Sequence, residues 1–118
     1  FLQLAHKLQD LVKRTREKEI SPEELQGSTF TITNFGVFDV ISGTPIINQP
    51  NVGILGIGTI KKKPVVISTD KGDEIGIRNM MMVSLGFDHR LIDGAEGSRF
   101  ITSVCQNLIN IDLQSLNL

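Results

Sequence analysis

The sequence has no tryptophan and no tyrosine, so any core it builds must be filled by Leu, Ile, Val and six phenylalanines. A single cysteine, Cys105, rules out an internal disulfide and gives no sign of an oxidising compartment. Placed mid-pattern on an apolar helical face with no neighbouring base, it reads as a small core or interface residue. Net charge is nearly absent: 12 basic against 13 acidic side chains leave −1 at neutral pH, which offers no electrostatic footprint for nucleic acid. No apolar run approaches the length of a membrane span, and nothing has the pattern of a signal peptide. The first residue lies inside a helical pattern with no methionine and no cap, so further sequence is expected upstream. With 118 residues the chain is one small domain or a piece of a larger one.

What is present is mostly regular. Phe1, Leu4, Ala5, Leu8, Leu11, Val12 and Thr15 recur at helical spacing, which predicts a helix over residues 1–19 with His6 on its solvated side. Ser21-Pro22-Glu23-Glu24 is a capped helix start that Gly27 cuts to a single turn. Residues 28–33 alternate hydroxyl and apolar side chains and predict a strand. A long loop follows from Asn34 to Pro50, and its Phe35, Val37, Phe38, Val40 and Ile41 are expected to pack on another subunit or on absent chain.

Residues 52–60 form a glycine-laced, strand-like run. Gly53, Gly56 and Gly58 open no helix and lack a Lys-Ser/Thr ending, so they read as sites of close backbone or ligand approach, not as a nucleotide loop. Lys61-Lys62-Lys63 reads as a solvated strand end or turn in preference to a phosphate-attracting patch. Further strands are expected at 64–68, 74–77 and 80–87, with a turn at 69–73. A last helix over 95–109 has Asp93 as its cap and Glu96 three residues later.

Between that last strand and helix lies Asp88-His89-Arg90-Leu91-Ile92-Asp93-Gly94. An imidazole and two carboxylates at a strand end, among glycines, read as a site, since histidine is the usual general base near neutrality. Asp93 can anchor the helix and help orient His89, whereas Arg90 reads as structural, offsetting the neighbouring carboxylates. Metal ligands at suitable spacing are lacking, and no Gly-x-Ser-x-Gly elbow exists for a serine nucleophile. Acyl transfer to an external nucleophile needs only a base and an oxyanion donor.

The stretch 87–94 resembles the Asp-His-Arg-x-x-Asp-Gly signature of the dihydrolipoamide acyltransferases, the core subunits of 2-oxo acid dehydrogenase complexes. Residues 27–34 (Gly-Ser-Thr-Phe-Thr-Ile-Thr-Asn), 44–50 (Thr-Pro-Ile-Ile-Asn-Gln-Pro) and 54–64 are similar to three more of that family's motifs, in the family's order. The resemblance implies a two-layer α/β sandwich of the chloramphenicol acetyltransferase type, a mixed sheet with flanking helices, of which residues 1–118 would be the C-terminal half of the catalytic domain. It implies an acyl group moved between dihydrolipoamide and coenzyme A, with the lipoyl group carried on a domain absent from this chain. In that reading His89 is the general base. Thr33, from a facing subunit, is the oxyanion donor, and Asp93 matches a further active-site position. Thr33, Asn34, Gly58 and Ile60 match positions that line the coenzyme A channel. Implied partners are two further copies in a homotrimer that builds a larger core, with Leu116 and Leu118 as anchors between trimers. The decarboxylase and dihydrolipoamide dehydrogenase components would attach through absent domains, in a bacterial cytoplasm or a mitochondrial matrix. The alternative is a core-forming scaffold fragment without activity of its own. Half a domain alone is expected to be poorly stable.

Overall fold

The computed structural model describes residues 1–112; the proposed anchors Leu116 and Leu118 lie outside the described residues. Residues 29–101 form one compact unit, and residues 1–28 with residues 102–112 form another.

In the latter unit, α1 spans Leu2–Arg16, three residues shorter at its end than the apolar spacing predicts. Its apolar stripe (Phe1, Leu4, Leu8) is exposed. The expected single turn is a 3₁₀ turn over Pro22–Leu25 with a complete capping box. Glu24 both accepts the Ser21 N–H, at 3.0 Å, and pairs with Arg14, at 2.8 Å. Arg14 also holds Asp10 at 3.0 Å. These donors, Arg14 foremost, push the Glu24 carboxyl down to about 2.

The other unit is built on a mixed three-stranded sheet and a two-stranded ribbon. The sheet joins β1 (Thr31–Asn34), β2 (Gly53–Ile57) and β5 (Val83–Phe87) in the order β1-β2-β5. β1 runs parallel to β2, and β5 antiparallel to it. The ribbon pairs β3 (Lys61–Thr69) with β4 (Gly72–Met80) along their whole lengths. Strand alternation assigns the two faces of the sheet. Phe30, Gly53, Leu55, Leu85 and Phe87 share one, while Thr31, Thr33, Ile54, Gly56, Ser84 and Gly86 share the other.

The first face takes the opening turns of α2 (Gly94–Ile109). Phe100 meets Phe30 with ring centroids 5.8 Å apart. Gly97 is buried against the Phe87 ring, where a methyl group would come within 2.6 Å of it, so glycine lets helix and sheet close up. The second face is covered by the chain's own 43–51 loop: Ser84 donates to the Gly43 carbonyl at 2.8 Å, and buried Asn51 donates to the Thr31 hydroxyl at 2.8 Å. Among the described residues the buried apolar side chains are Ile54 and Leu55, at 4 % and 8 % exposure, so the core centres on β2.

Strand boundaries differ from the sequence reading in four places, the first being the strand-like run at 52–60, which is strand only over Gly53–Ile57. β1 begins at Thr31 instead of residue 28, and it takes in Asn34, because its register is set by pairing with Ile54 to Ile57. The lysine run is the exposed strand end that is one of its two readings, and it lengthens the strand expected at 64–68 into β3, pairing with Arg78 to Met80. The expected strands at 74–77 and 80–87 regroup. β4 reaches Met80, the chain breaks at Met81-Met82, and β5 then joins the other sheet. An apolar run shows that a segment is covered but not by which sheet, and here it serves two.

Candidate active site

His89 is placed by the end of a ladder. β5 continues past Phe87 by one rung, with Asp88 N–H donating to the Val52 carbonyl at 2.9 Å, and the backbone then turns. Leu91 N–H and Ile92 N–H both close back on the Asp88 carbonyl, at 3.0 Å each. The side chain of Asp88 accepts the Arg90 backbone N–H at 3.0 Å and takes a two-pronged bond from the guanidinium, at 2.9 and 2.7 Å. That guanidinium, with the backbone N–H behind it, pushes the Asp88 carboxyl down to about 2. Arg90 therefore has the structural role its place in the sequence suggested, and Asp88 is occupied by it. Asp93 accepts the Glu96 N–H at 2.7 Å and the Gly97 N–H on its carbonyl at 3.0 Å, which is the expected helix cap.

Between these two fixed carboxylates His89 is exposed, its ring tilted against Phe87 at a centroid distance of 5.5 Å. Among the described residues that ring contact is its whole set of side-chain interactions, so the imidazole is anchored on one side and open on the other. A cleft of about 440 Å³, lined by Ile47, Pro50, Asn51, Asp88, Arg90 and Leu91, opens beside the same turn. The apolar cavity of about 300 Å³ between Phe30, Leu85, Phe87, Ile92 and Phe100 lies under α2, with Glu96 as the one titratable side chain in its lining.

The other candidate residues stand at the far end of the sheet. Thr33 is half-buried opposite Gly56, and Asn34 accepts the Gly36 N–H on Oδ1 at 3.0 Å, turning the chain into a 3₁₀ turn over Gly36–Phe38. Gly58 receives the close approach expected of it, from the chain's own loop: a side chain there would strike the Ile41 carbonyl. Ile60 is exposed, as are Val37 and Phe38, at 70 % and 81 %.

Register fixes how far apart the two groups are. Thr33 is level with Gly56, and His89 lies just beyond the Asp88–Val52 rung. At ~3.3 Å per residue and ~4.8 Å between strands, they stand roughly 16 Å apart along the strands and two strands across. Thr33, Asn34, Gly58 and Ile60 are brought together at one end; His89 and Asp93 are brought together at the other. A single chain does not unite the proposed base with the proposed donor.

Two groups escaped the sequence reading. Asn51 is a buried amide tying the loop to Thr31, and nothing in its local sequence separates it from a turn asparagine. Asp39 pairs with Lys61 across 22 positions, a separation at which sequence patterns carry no signal. Among the described residues no cluster of His, Cys, Asp or Glu is fit to hold a metal ion, and no helix is long and apolar enough to cross a membrane.

Residues 1–116 match the family described as 2-oxoacid dehydrogenases acyltransferase (catalytic domain). The acetyltransferase component of the pyruvate dehydrogenase complex of Corynebacterium glutamicum is 44 % identical over 106 residues, covering 90 % of this chain and 16 % of the relative. The mitochondrial succinyltransferase component of the bovine 2-oxoglutarate dehydrogenase complex is 41 % identical over 88 % of this chain and 22 % of its own length. In structure, the dihydrolipoamide acetyltransferase of Azotobacter vinelandii superposes with a TM-score of 0.83 at 35 % identity, covering 99 % of this chain and 46 % of that one. The cubic core of a pyruvate dehydrogenase multienzyme complex gives 0.83 at 34 % identity. The two-layer α/β fold expected from the sequence is the fold of these catalytic cores. The chain spans less than half of the solved relatives' chains and about a fifth of the curated ones.

Proposed function

The chain belongs to the family of 2-oxoacid dehydrogenase acyltransferase catalytic domains, and from that membership we propose that it serves an enzyme moving an acyl group between dihydrolipoamide and coenzyme A, as the C-terminal half of the catalytic domain. His89 takes the proton from the attacking thiol, which is the thiol of coenzyme A in one direction and of dihydrolipoamide in the other. The thioester carbonyl carbon is attacked, its oxygen becomes an oxyanion, and the Thr33 hydroxyl donates to it. As the tetrahedral intermediate collapses, the protonated His89 returns the proton to the departing thiolate. Asn34, Gly58 and Ile60 line the approach of coenzyme A at the Thr33 end. The lipoyl group arrives on a domain outside this sequence. The Azotobacter acetyltransferase was studied for the catalytic role of a serine, a histidine and an asparagine. Its histidine and asparagine stand four positions apart, as His89 and Asp93 do here. Thr33, like that serine, carries a hydroxyl.

The observation that carries this reading is the separation of base and donor along the sheet. A reaction that needs both must draw them from two copies, each lending its His89 end to one neighbour and its Thr33 end to the next. Such a head-to-tail contact closes as a ring, and a trimer that assembles into a larger core is the proposed form. The decarboxylase and dihydrolipoamide dehydrogenase components join through other domains, in a bacterial cytoplasm or a mitochondrial matrix.

Mixed assemblies of the full-length protein test it. His89→Ala and Thr33→Ala chains, each nearly inactive alone, are unfolded and refolded together. A ring holding both has one site with an intact His89 facing an intact Thr33, so random mixing into trimers should restore about a quarter of wild-type turnover. No restoration, with mixed rings demonstrated by mass, would mean that base and donor come from one chain.

A further inference from the structure

We propose that the Asp39–Lys61 ion pair is a positioning latch, holding the loop that follows Thr33 in the shape that admits coenzyme A; the inference rests on the acyl-transfer reading above. Residues 36–41 need holding, because Val37, Phe38, Val40 and Ile41 are exposed and lend the loop little packing of its own. What fixes the loop instead is polar and local. Thr59 N–H donates to the Val40 carbonyl at 2.9 Å, and Asp39 N–H donates to the Gly36 carbonyl at 3.0 Å. The Asp39 carboxylate reaches Lys61 Nζ at 2.9 Å and accepts the Thr59 hydroxyl at 3.3 Å. The loop thus lies across the Gly58–Lys61 bend, and Lys61 is itself fixed by its rung with Met80 at the start of β3.

Asp39 has a backbone that glycine would adopt more readily. Its φ is 61°, in the left-handed region where glycine sits without strain. Aspartate at this position costs conformational energy that glycine would not, and what it adds is the anion that meets Lys61. Lys61 in turn holds that carboxyl below its usual range. An exposed ion pair contributes little to global stability, so the latch should govern the loop and leave the fold alone. The loop end that it governs is joined to Asn34 through the Gly36 N–H, one residue from the proposed donor.

The test uses the assembled full-length protein with Asp39→Asn, Lys61→Met and Lys61→Arg. Asparagine keeps the size and the tolerance of left-handed φ while removing the charge. The first two variants should raise KM for coenzyme A about two- to fivefold, the range that an exposed ion pair spans. In the same two variants kcat and Tm should stay near wild type and exchange of the Thr59 amide should speed up. Lys61→Arg should restore both KM and exchange. Unchanged KM and Thr59 exchange in both charge-removing variants overturns the latch, as does a common loss of kcat, KM and Tm, which would mean general destabilisation. A wild-type protein without transfer activity, or a fully active Thr33→Ala, refutes the acyl-transfer reading and the latch's role with it. Full wild-type activity, an impaired Thr33→Ala and normal latch variants sink the latch alone.

Discussion

The two ends of the three-stranded sheet are built by different means. At the His89 end, regular elements do the placing: a ladder carried to Asp88, a two-pronged Arg90 bridge, and a helix capped by Asp93 and buried at Gly97. At the Thr33 end, an irregular loop is fastened by one left-handed aspartate, an exposed lysine and a close approach at Gly58. A base must hold one position through the proton transfer, and a strand–turn–helix gives that rigidity. A channel that passes a long substrate tolerates, and benefits from, a loop that can adjust. Residues at the first end should therefore act on the chemical step, and residues at the second on binding, with Thr33 as the exception that does chemistry from the adjustable side.

The largest effect expected is at His89. His89→Ala should lower kcat about 10²- to 10⁴-fold, the range that general-base catalysis supplies, while sedimentation shows assembly intact, since among the described residues the side chain makes only a ring contact with Phe87. Near-normal turnover would remove the base from the mechanism. Thr33→Ala should cost about 10²- to 10³-fold in kcat, as for a lost oxyanion donor, and Thr33→Ser should return most of it. If alanine and serine behave alike, the hydroxyl serves the sheet and not the reaction.

The same contrast decides what could be read in advance. Asp88 to Gly94 and its flanks were legible because local rules converge there: an apolar strand, a turn, a capping aspartate and an amphipathic helix, all within about 25 residues. The capped turn at Ser21 was legible for the same reason. Where the chain switches sheets, at Met80 to Val83, it was not, because an apolar run reads alike whichever strand it joins. Nor was the Asp39–Lys61 pair, whose partners lie 22 positions apart with β2 and the loop between them. That Thr33 and His89 lie at opposite ends follows from the parallel β1–β2 and antiparallel β2–β5 pairings, and strand direction leaves no mark on composition.

A smaller effect separates structure from chemistry at Asp93. As a cap on α2 it is worth about 0.5–2 kcal/mol against alanine, and only a few tenths against glycine. Asp93→Gly should thus melt close to wild type, and Asp93→Ala several degrees lower. If Asp93→Gly also transfers acyl groups at the wild-type rate, the residue is a cap and nothing more. If turnover falls while Tm holds, the carboxylate acts on His89 or on substrate, a role that the bond to Glu96 N–H leaves open on its second oxygen.

The smallest effect is electrostatic and sits beside His89, the proposed base. Asp88 is held at about 2 by Arg90, below the ~3.9 of a free aspartate. A carboxyl whose folded value is depressed stabilises the fold above the unfolded value and loses that contribution as pH falls through the folded one. The bridge is therefore complete above about pH 4 and dissolves only toward pH 2. Across the range in which an imidazole titrates, the turn that carries His89 keeps one geometry, so a fall in activity between pH 7 and 5 cannot come from Asp88. Following the Asp88 carboxyl carbon by NMR should give a midpoint near 2, and Arg90→Gln should move it up toward ~3.9. A midpoint near 4 in the intact protein would mean the bridge is not formed in solution, and the rigidity claimed for the His89 end would lose its clearest support.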